Sequence, residues 1–268
     1  MTAEPLVTPP RDHLPTIGFE HLRRLALAAV GHPGGRPWCL APIDGGVQLL
    51  TDGPAVDRMS DAGARALRLA AGAAVTNMRL GIAMGGHRPV VTVLPSSGRT
   101  TVLARLYHGP QAGPTPVERA LASMIMPVNR FLPPVADLPA PPGLLLRSRA
   151  AVEAEGLWLR TLDPRRRAQL AHVDARIAAL PDGARLMELG SNHDVPAEHV
   201  RAGSALQRLL LTVRLLGGAI TLVAWPADLS GRLRAACTTG SGDTALTAHV
   251  LVALSACGAT PWSPGARG

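Results

Sequence analysis

The segment "AGAAVTNMRLGIAMGGHRPVVTVLP", Ala71–Pro95, decides the fold. It opens on small residues, runs through an apolar pattern of helical period, stops at a Gly-Gly pair, continues as a β-rich run and ends at proline. Gly85 can take the left-handed conformation that closes a helix, and Val90, Val91 and Val93 favour the strand that follows. A second segment, "AGSALQRLLLTVRLLGGAITLVAWP" (Ala202–Pro226), has the same punctuation, with Gly217 as the closing glycine and Ile220, Leu222 and Val223 in the strand. Shared breaks in shared order mark a repeated unit, here a long helix followed by a strand. Ala71, Gly72 and Ala74 in one copy, and Ala202, Gly203 and Ala205 in the other, predict that the two helices approach closely.

The remaining elements fall around these units. A helix is expected near Phe19–Val30, and "WCLAPIDGGVQLLTD" reads as a hairpin turning at Asp44-Gly45-Gly46. "TTVLARLYHG" is a further strand, and "TPVERALASMIM" carries a capping box, Thr115 with Glu118, and Pro116 in the first helical position. The proline-rich "FLPPVADLPAPPG" reads as the seam between two halves. After it come a helix around Leu144–Ala154, a short strand "LWLRTL" and a helix capped by Asp163 and Pro164. Arg165, Arg166 and Arg167 sit at the positive end of that helix's dipole, which suits either an anion site or a solvated surface. Then follow "ARLMELG", the second repeat unit, a short helix after Ser230 and the continuous apolar strand "HVLVALSAC". Long helices mixed with strands indicate an α+β fold of two pseudo-repeated halves. The expected division is a tail over 1–18, a first half over 19–110, a helix and proline-rich connector over 111–143, and a second half over 144–268.

Composition narrows the chemistry. With 268 residues, 47% of them apolar, the chain can bury a full core. One Tyr and two Phe leave that core to Leu, Val, Ala and Ile. The sequence has no lysine, so Schiff-base chemistry, a P-loop lysine and a kinase-type strand lysine are all excluded. The formal charge of +8 is carried by scattered arginines, and aromatic residues for stacking bases are nearly absent, so no specific nucleic-acid partner is expected. Cys39, Cys237 and Cys257 lack metal-ligand spacing, and their odd number argues against a disulfide framework. The opening residues lack a signal-peptide pattern and no apolar run would span a bilayer, which predicts a soluble, cytoplasmic protein.

Several landmarks in order carry a family resemblance: the loop "AVGHPGGRPW" (Ala29–Trp38) with its hairpin, the two repeat segments, "NR" at Asn129 and Arg130, and "GATPW" near the end. Their arrangement resembles the nitroreductase superfamily, in particular the actinobacterial Acg-like branch, in which two nitroreductase-like halves are fused in one chain. The resemblance implies a nitroreductase-like α+β fold and an FMN cofactor. The flavin would take hydride from NADH or NADPH and pass electrons to a small acceptor such as a nitro compound or quinone. It implies that Asn129, Arg130, Arg36, Trp38 and the backbone at Gly217, Gly218 and Ala219 hold the flavin. It names no catalytic side chain. Sites of this type lie at a subunit boundary, which a fused pair of halves would supply internally, so the chain is expected as a monomer with an internal pseudo-dimer or as a homodimer.

The family's motifs are partly eroded. The loop that usually reads close to A-P-S-x-H-N-x-Q-P-W keeps only its Ala, Pro and Trp frame, at Ala29, Pro37 and Trp38. An R-x-T-N-R pattern appears as Met126, Pro127, Val128, Asn129 and Arg130, and a terminal T-P-R-R-P pattern as Thr260, Pro261, Trp262, Ser263 and Pro264. The chain is also shorter than such relatives between the Arg165 helix and Ala202. At roughly 1.5 to 3 kcal/mol per lost charge-assisted contact, these changes weaken flavin binding unless Arg36, Arg147, Arg149 or Arg267 replaces a partner. The alternative is therefore a flavin-free relative that uses the scaffold to bind a small molecule or a partner protein.

Other clusters carry less. "NHDVPAEH" gathers His193, Asp194, Glu198 and His199, but Pro196 at a helix start should turn the two histidines apart, leaving capping and surface roles and no metal. Asp243, His249 and a serine could be drawn as a hydrolase triad, without a G-x-S-x-G elbow to support it. "TTGSGDT" (Thr238–Thr244) reads as a loop, and His32 and Cys39 flank the opening loop as candidate lining.

Overall fold

A computed structural model describes residues 18–31, 38–51, 58–95, 102–125, 134–224 and 246–258. The first half runs α1 (Phe19–Leu27), β1 (Trp38–Ile43), β2 (Gly46–Thr51), α2 (Asp61–Met84), β3 (His87–Val93) and β4 (Val102–Gln111). A short helix α3 (Pro116–Ser123) follows. The second half runs α4 (Pro142–Glu153), β5 (Trp158–Thr161), α5 (Pro164–Ala171), α6 (Ala175–Ala178), β6 (Arg185–Ser191), α7 (Pro196–Leu215), β7 (Gly218–Ala224) and β8 (Thr247–Ala256). The strands form two antiparallel four-stranded sheets, ordered β1-β2-β4-β3 and β5-β6-β8-β7. Apart from α5 and α6, both halves follow the same sequence of elements and the same strand order.

Local chemistry explains the element ends. The β1–β2 hairpin turns at Asp44-Gly45, where Gly45, the second central residue, has φ +68°, a conformation glycine adopts without a Cβ penalty. Ser60 caps α2 by accepting from the Gly63 N–H, and the capping box at α3 is complete, Thr115 and Glu118 each accepting from the other's N–H. The left-handed residue after α2 is Gly86 (φ +83°), not Gly85, which at φ −79° still continues the last turn; after α7 it is Gly217 (φ +67°). The helix thus extends one residue further than its Gly-Gly stop suggests.

Each long helix lies on the sheet of its own half, and α2 and α7 pack against each other. The close approach is reciprocal. A Cβ at Gly72 would overlap the carbonyl oxygen of Val200, and one at Gly203 would overlap that of Leu69. Ser204 Oγ donates to the Gly72 carbonyl at 3.0 Å, and Thr76 Oγ1 to the Ser204 carbonyl at 3.2 Å. One apolar core runs through both halves, including Leu49, Leu69 and Met78 from the first and Leu189, Leu209 and Val250 from the second.

The sheets differ on their outer faces. A second core of Leu162, Leu170, Ile177, Leu186, Val223 and Leu251 lies under α5 and α6, so β8 is buried along both faces and reads as a continuous apolar run. β3 alternates, with one side open. The described part of the connector packs on the second half: Ala136 N–H donates to Ser255 Oγ, and Gly183 N–H to Asp137 Oδ1. The short helix expected after Ser230 and the "TTGSGDT" loop lie outside the described residues. No described helix is long and apolar enough to cross a membrane.

Candidate functional site

Of the residues assigned to a flavin site, Arg36, Asn129 and Arg130 lie outside the described residues. Trp38 opens β1, and its indole Nε1 is buried without a partner among the described residues. Trp158 opens β5 in the same place of the second half, and its Nε1 is likewise buried and unpartnered. The sequence carried that signal, a Trp at the start of the first strand in each half, but only the first was singled out. The Arg160 guanidinium lies 5.1 Å from the centre of the Trp158 ring and pairs with Glu188 at 2.7 Å. Glu188 is 1% exposed, and burial pushes its carboxyl pKa up against the pull of Arg160.

Gly217, Gly218 and Ala219 form the turn from α7 into β7. The Gly217 N–H donates to the Arg214 carbonyl at 3.0 Å, and Gly218 and Ala219 register with Ala256 and Ser255 of β8. The space a side chain at Gly218 would need is filled by Leu144 and Val213. Here the glycine serves packing of α4 against the turn.

The chain just after α1 is held at Val30 from the other half. Val30 N–H donates to Gln207 Oε1 at 3.0 Å, Gln207 Nε2 to Asn77 Oδ1 at 3.0 Å, and Asn77 Nδ2 to the Leu25 carbonyl at 3.0 Å. Asn77 and Gln207 are fully buried. Neither stood out in the sequence, although each is an amide inside an apolar helical run.

A cavity of about 30 Å³ lies between α2, α3 and α7, lined by Thr76, Arg79, Glu118, Glu155 and Arg208 among others. Glu155 accepts from Arg79 at 3.1 Å and from Arg208 at 3.4 Å, so its charges are largely satisfied internally. The space suits water rather than a cofactor.

At the N-terminal ends of α2 and α7 lies a charged cluster. Asp194 pairs with Arg65, and with His199 Nε2 at 2.8 Å, while Arg68 Nη1 lies 3.4 Å from His199 Nδ1. These partners assign the proton of His199 to Nε2, donated to Asp194, with Nδ1 accepting from Arg68. Burial lowers the His199 pKa and outweighs the pull of Asp194; Arg65 and Arg68 add to the lowering. Burial alone would raise the Asp194 carboxyl, but its hydrogen bonds and the Arg65 charge hold it well below the usual carboxylate range. His199 being neutral, the charge that keeps Asp194 ionised is that of Arg65. α7 does start at Pro196, with His193 exposed and His199 buried. Val195 is the N-cap of α7, without a side-chain cap, and Asp194 of this cluster ties the start of α7 to α2.

His249 Nε2 lies 2.7 Å from Ser191 Oγ, and both residues are buried. Ser191 donates its hydroxyl proton to the His193 carbonyl at 2.6 Å, so it accepts from His249. That polarity is the reverse of an activated nucleophile. Asp243 and His32 lie outside the described residues, and Cys39 is exposed. Among the described residues no group of three or more His, Cys, Asp or Glu could hold a metal ion. The arginine cluster is resolved in part: Arg167 donates to the carbonyls of Leu180, Pro181 and Ala184, which closes the α6–β6 loop instead of offering an anion site.

No family model and no curated protein matches the sequence. Among solved structures, the chain is similar to a provisionally assigned nitroreductase in complex with FMN from Desulfovibrio desulfuricans. The two share 18% identity over 57% of this chain and 92% of that one, with a TM-score of 0.40, a loose superposition.

Proposed function

We propose that the chain is an FMN-dependent, nitroreductase-like oxidoreductase in which two pseudo-repeated halves are fused and the flavin lies at their boundary. One observation carries the reading: the reciprocal contact of Gly72 with Val200 and Gly203 with Leu69, between halves of the same element order. A half that folds against its own copy produces such a crossing, and the family the sequence resembles places its flavin at that kind of boundary. The buried Trp38 indole, without a partner among the described residues, offers an N–H donor suited to a flavin oxygen or nitrogen. Arg36, Asn129 and Arg130 are assigned to the remaining polar contacts. Bound FMN would accept hydride from NAD(P)H and deliver electrons to a small acceptor; the chain's own part is to hold and orient it.

A second reading, a flavin-free relative that binds a small molecule or a partner, is favoured by the turn at Gly217. Its N–H is spent within the chain and Gly218 is covered by Leu144. Titration with FMN, followed by flavin absorbance and fluorescence, separates the two. Saturable uptake together with FMN-dependent oxidation of NADH or NADPH supports the oxidoreductase. Colourless protein that ignores excess FMN overturns it.

A further inference from the structure

Two histidines of the first sheet meet at a bulge flanked by prolines. His87 opens β3, an edge strand, and His108 lies near the end of β4. Pro89 and Pro110 cannot donate to the ladder between these strands, and the register slips there: Pro89 faces His108, whereas His87 faces Gln111. The backbones close up at the bulge, where a Cβ at Gly109 would come within 2.6 Å of the Arg88 carbonyl oxygen. His87 Nδ1 lies 3.2 Å from the Gly109 carbonyl oxygen, and His108 Nδ1 lies 3.2 Å from that of Gly45 in the hairpin turn. A carbonyl only accepts, so these partners assign the proton to Nδ1 in both rings and leave the lone pair on Nε2.

A ring that donates Nδ1–H to a carbonyl and keeps Nε2 unprotonated is in the form in which histidine binds a metal ion. The two ring centres are 5.7 Å apart, with their planes at 84°. Two imidazoles bound at about 2.0–2.1 Å to one tetrahedral ion place their centres about 5 to 6 Å apart. His108 Nε2 is buried with no hydrogen-bond partner among the described residues, and His87 is 3% exposed. A buried acceptor without a donor costs free energy, which a cation on that nitrogen recovers. We propose that His87 and His108 form a two-histidine site for a late first-row divalent cation, with Zn²⁺ as the type case and water completing the shell. Neutral imidazoles select such ions over Mg²⁺ and Ca²⁺, which prefer oxygen ligands. The site is independent of the flavin reading.

The test titrates Zn²⁺ alone into the chelator-treated full chain by calorimetry. Losing even an outer-shell partner of a metal-bound histidine costs about 10- to 100-fold in affinity, so His87→Phe and His108→Phe should each weaken binding at least that much. His172→Ala, at an exposed histidine of the other half, should leave it unchanged. Saturating Zn²⁺ should raise the melting temperature of the wild type and of neither Phe variant. Mg²⁺ should give no saturable uptake. Should His87→Phe fail to fold, the wild type decides: imidazole nitrogen NMR should show the Nδ1–H tautomer in both rings before Zn²⁺, and a shift of both Nε2 resonances after it. An Nε2–H tautomer in either ring, no saturable uptake of Zn²⁺, or equal affinity in His108→Phe and the wild type overturns the site.

Discussion

His199 is a buried base held neutral between two guanidinium groups, with Asp194 facing His199 and Arg65, and Asp61 also paired with Arg65 at 2.8 Å. Its folded-state pKa is lowered from the ordinary value near 6.5, so below that pH the unfolded chain binds more protons than the folded one. Stability therefore falls as pH drops from about 6.5 through the lowered value. Asp194 acts in a different window. Its lowered carboxyl contributes stability that is complete above about pH 4 and is lost only as pH falls towards the folded value. Urea unfolding is expected to show a declining free energy between pH 7 and 5, with a clearly flatter dependence in His199→Gln. Equal slopes in the two proteins would rule out His199 as the source. The sequence put His193, Asp194 and His199 side by side, yet it gave no sign that Arg65 and Arg68 would face them. Those partners sit on a helix that precedes them by more than a hundred residues, and only packing chooses them.

At the scale of elements, the two long helices meet through glycines whose missing side chains are occupied by the opposite backbone. Gly72→Ala must push α7 away, since its clash is with the Val200 carbonyl and not with a movable side chain. A loss of about 3 kcal/mol or more is expected from the displaced backbone and the opened core. Gly63→Ala, near the exposed start of the same helix, meets only ordinary contacts and should stabilise by roughly 0.5 to 1 kcal/mol through the unfolded state. Thermal unfolding of the two variants checks the contrast; similar effects would mean that the crossing is less tight than the geometry requires. These features were legible because hairpin turns, caps and small-residue spacing act over a few residues. Asp44-Gly45, Thr115 with Glu118, and the small residues of both repeats fall where the sequence puts them. The closing glycine of α2 was missed by one position, since either member of a Gly-Gly pair can adopt positive φ and the choice depends on where β3 must start.

For the whole molecule, the core is continuous across the helix pair, so each long helix is buried by the sheet of its own half and, on its other side, by the long helix of the other half. Separate production of residues 1–125 and 134–268 is expected to give two polypeptides without cooperative unfolding, and mixing them should restore a common transition. Two independently cooperative fragments would show that the halves are self-sufficient domains. The sequence by itself determined most of the described elements, their order, the close helix pair and the α+β class, because periodicity, turn residues and caps are local properties of the chain. Tertiary structure alone decided that Gln207 reaches Val30, that Arg65 holds Asp194, and that Ser191 accepts from His249. Those pairings join polar groups far apart in sequence, and a buried donor takes whichever acceptor the packed backbone brings within 3 Å or so.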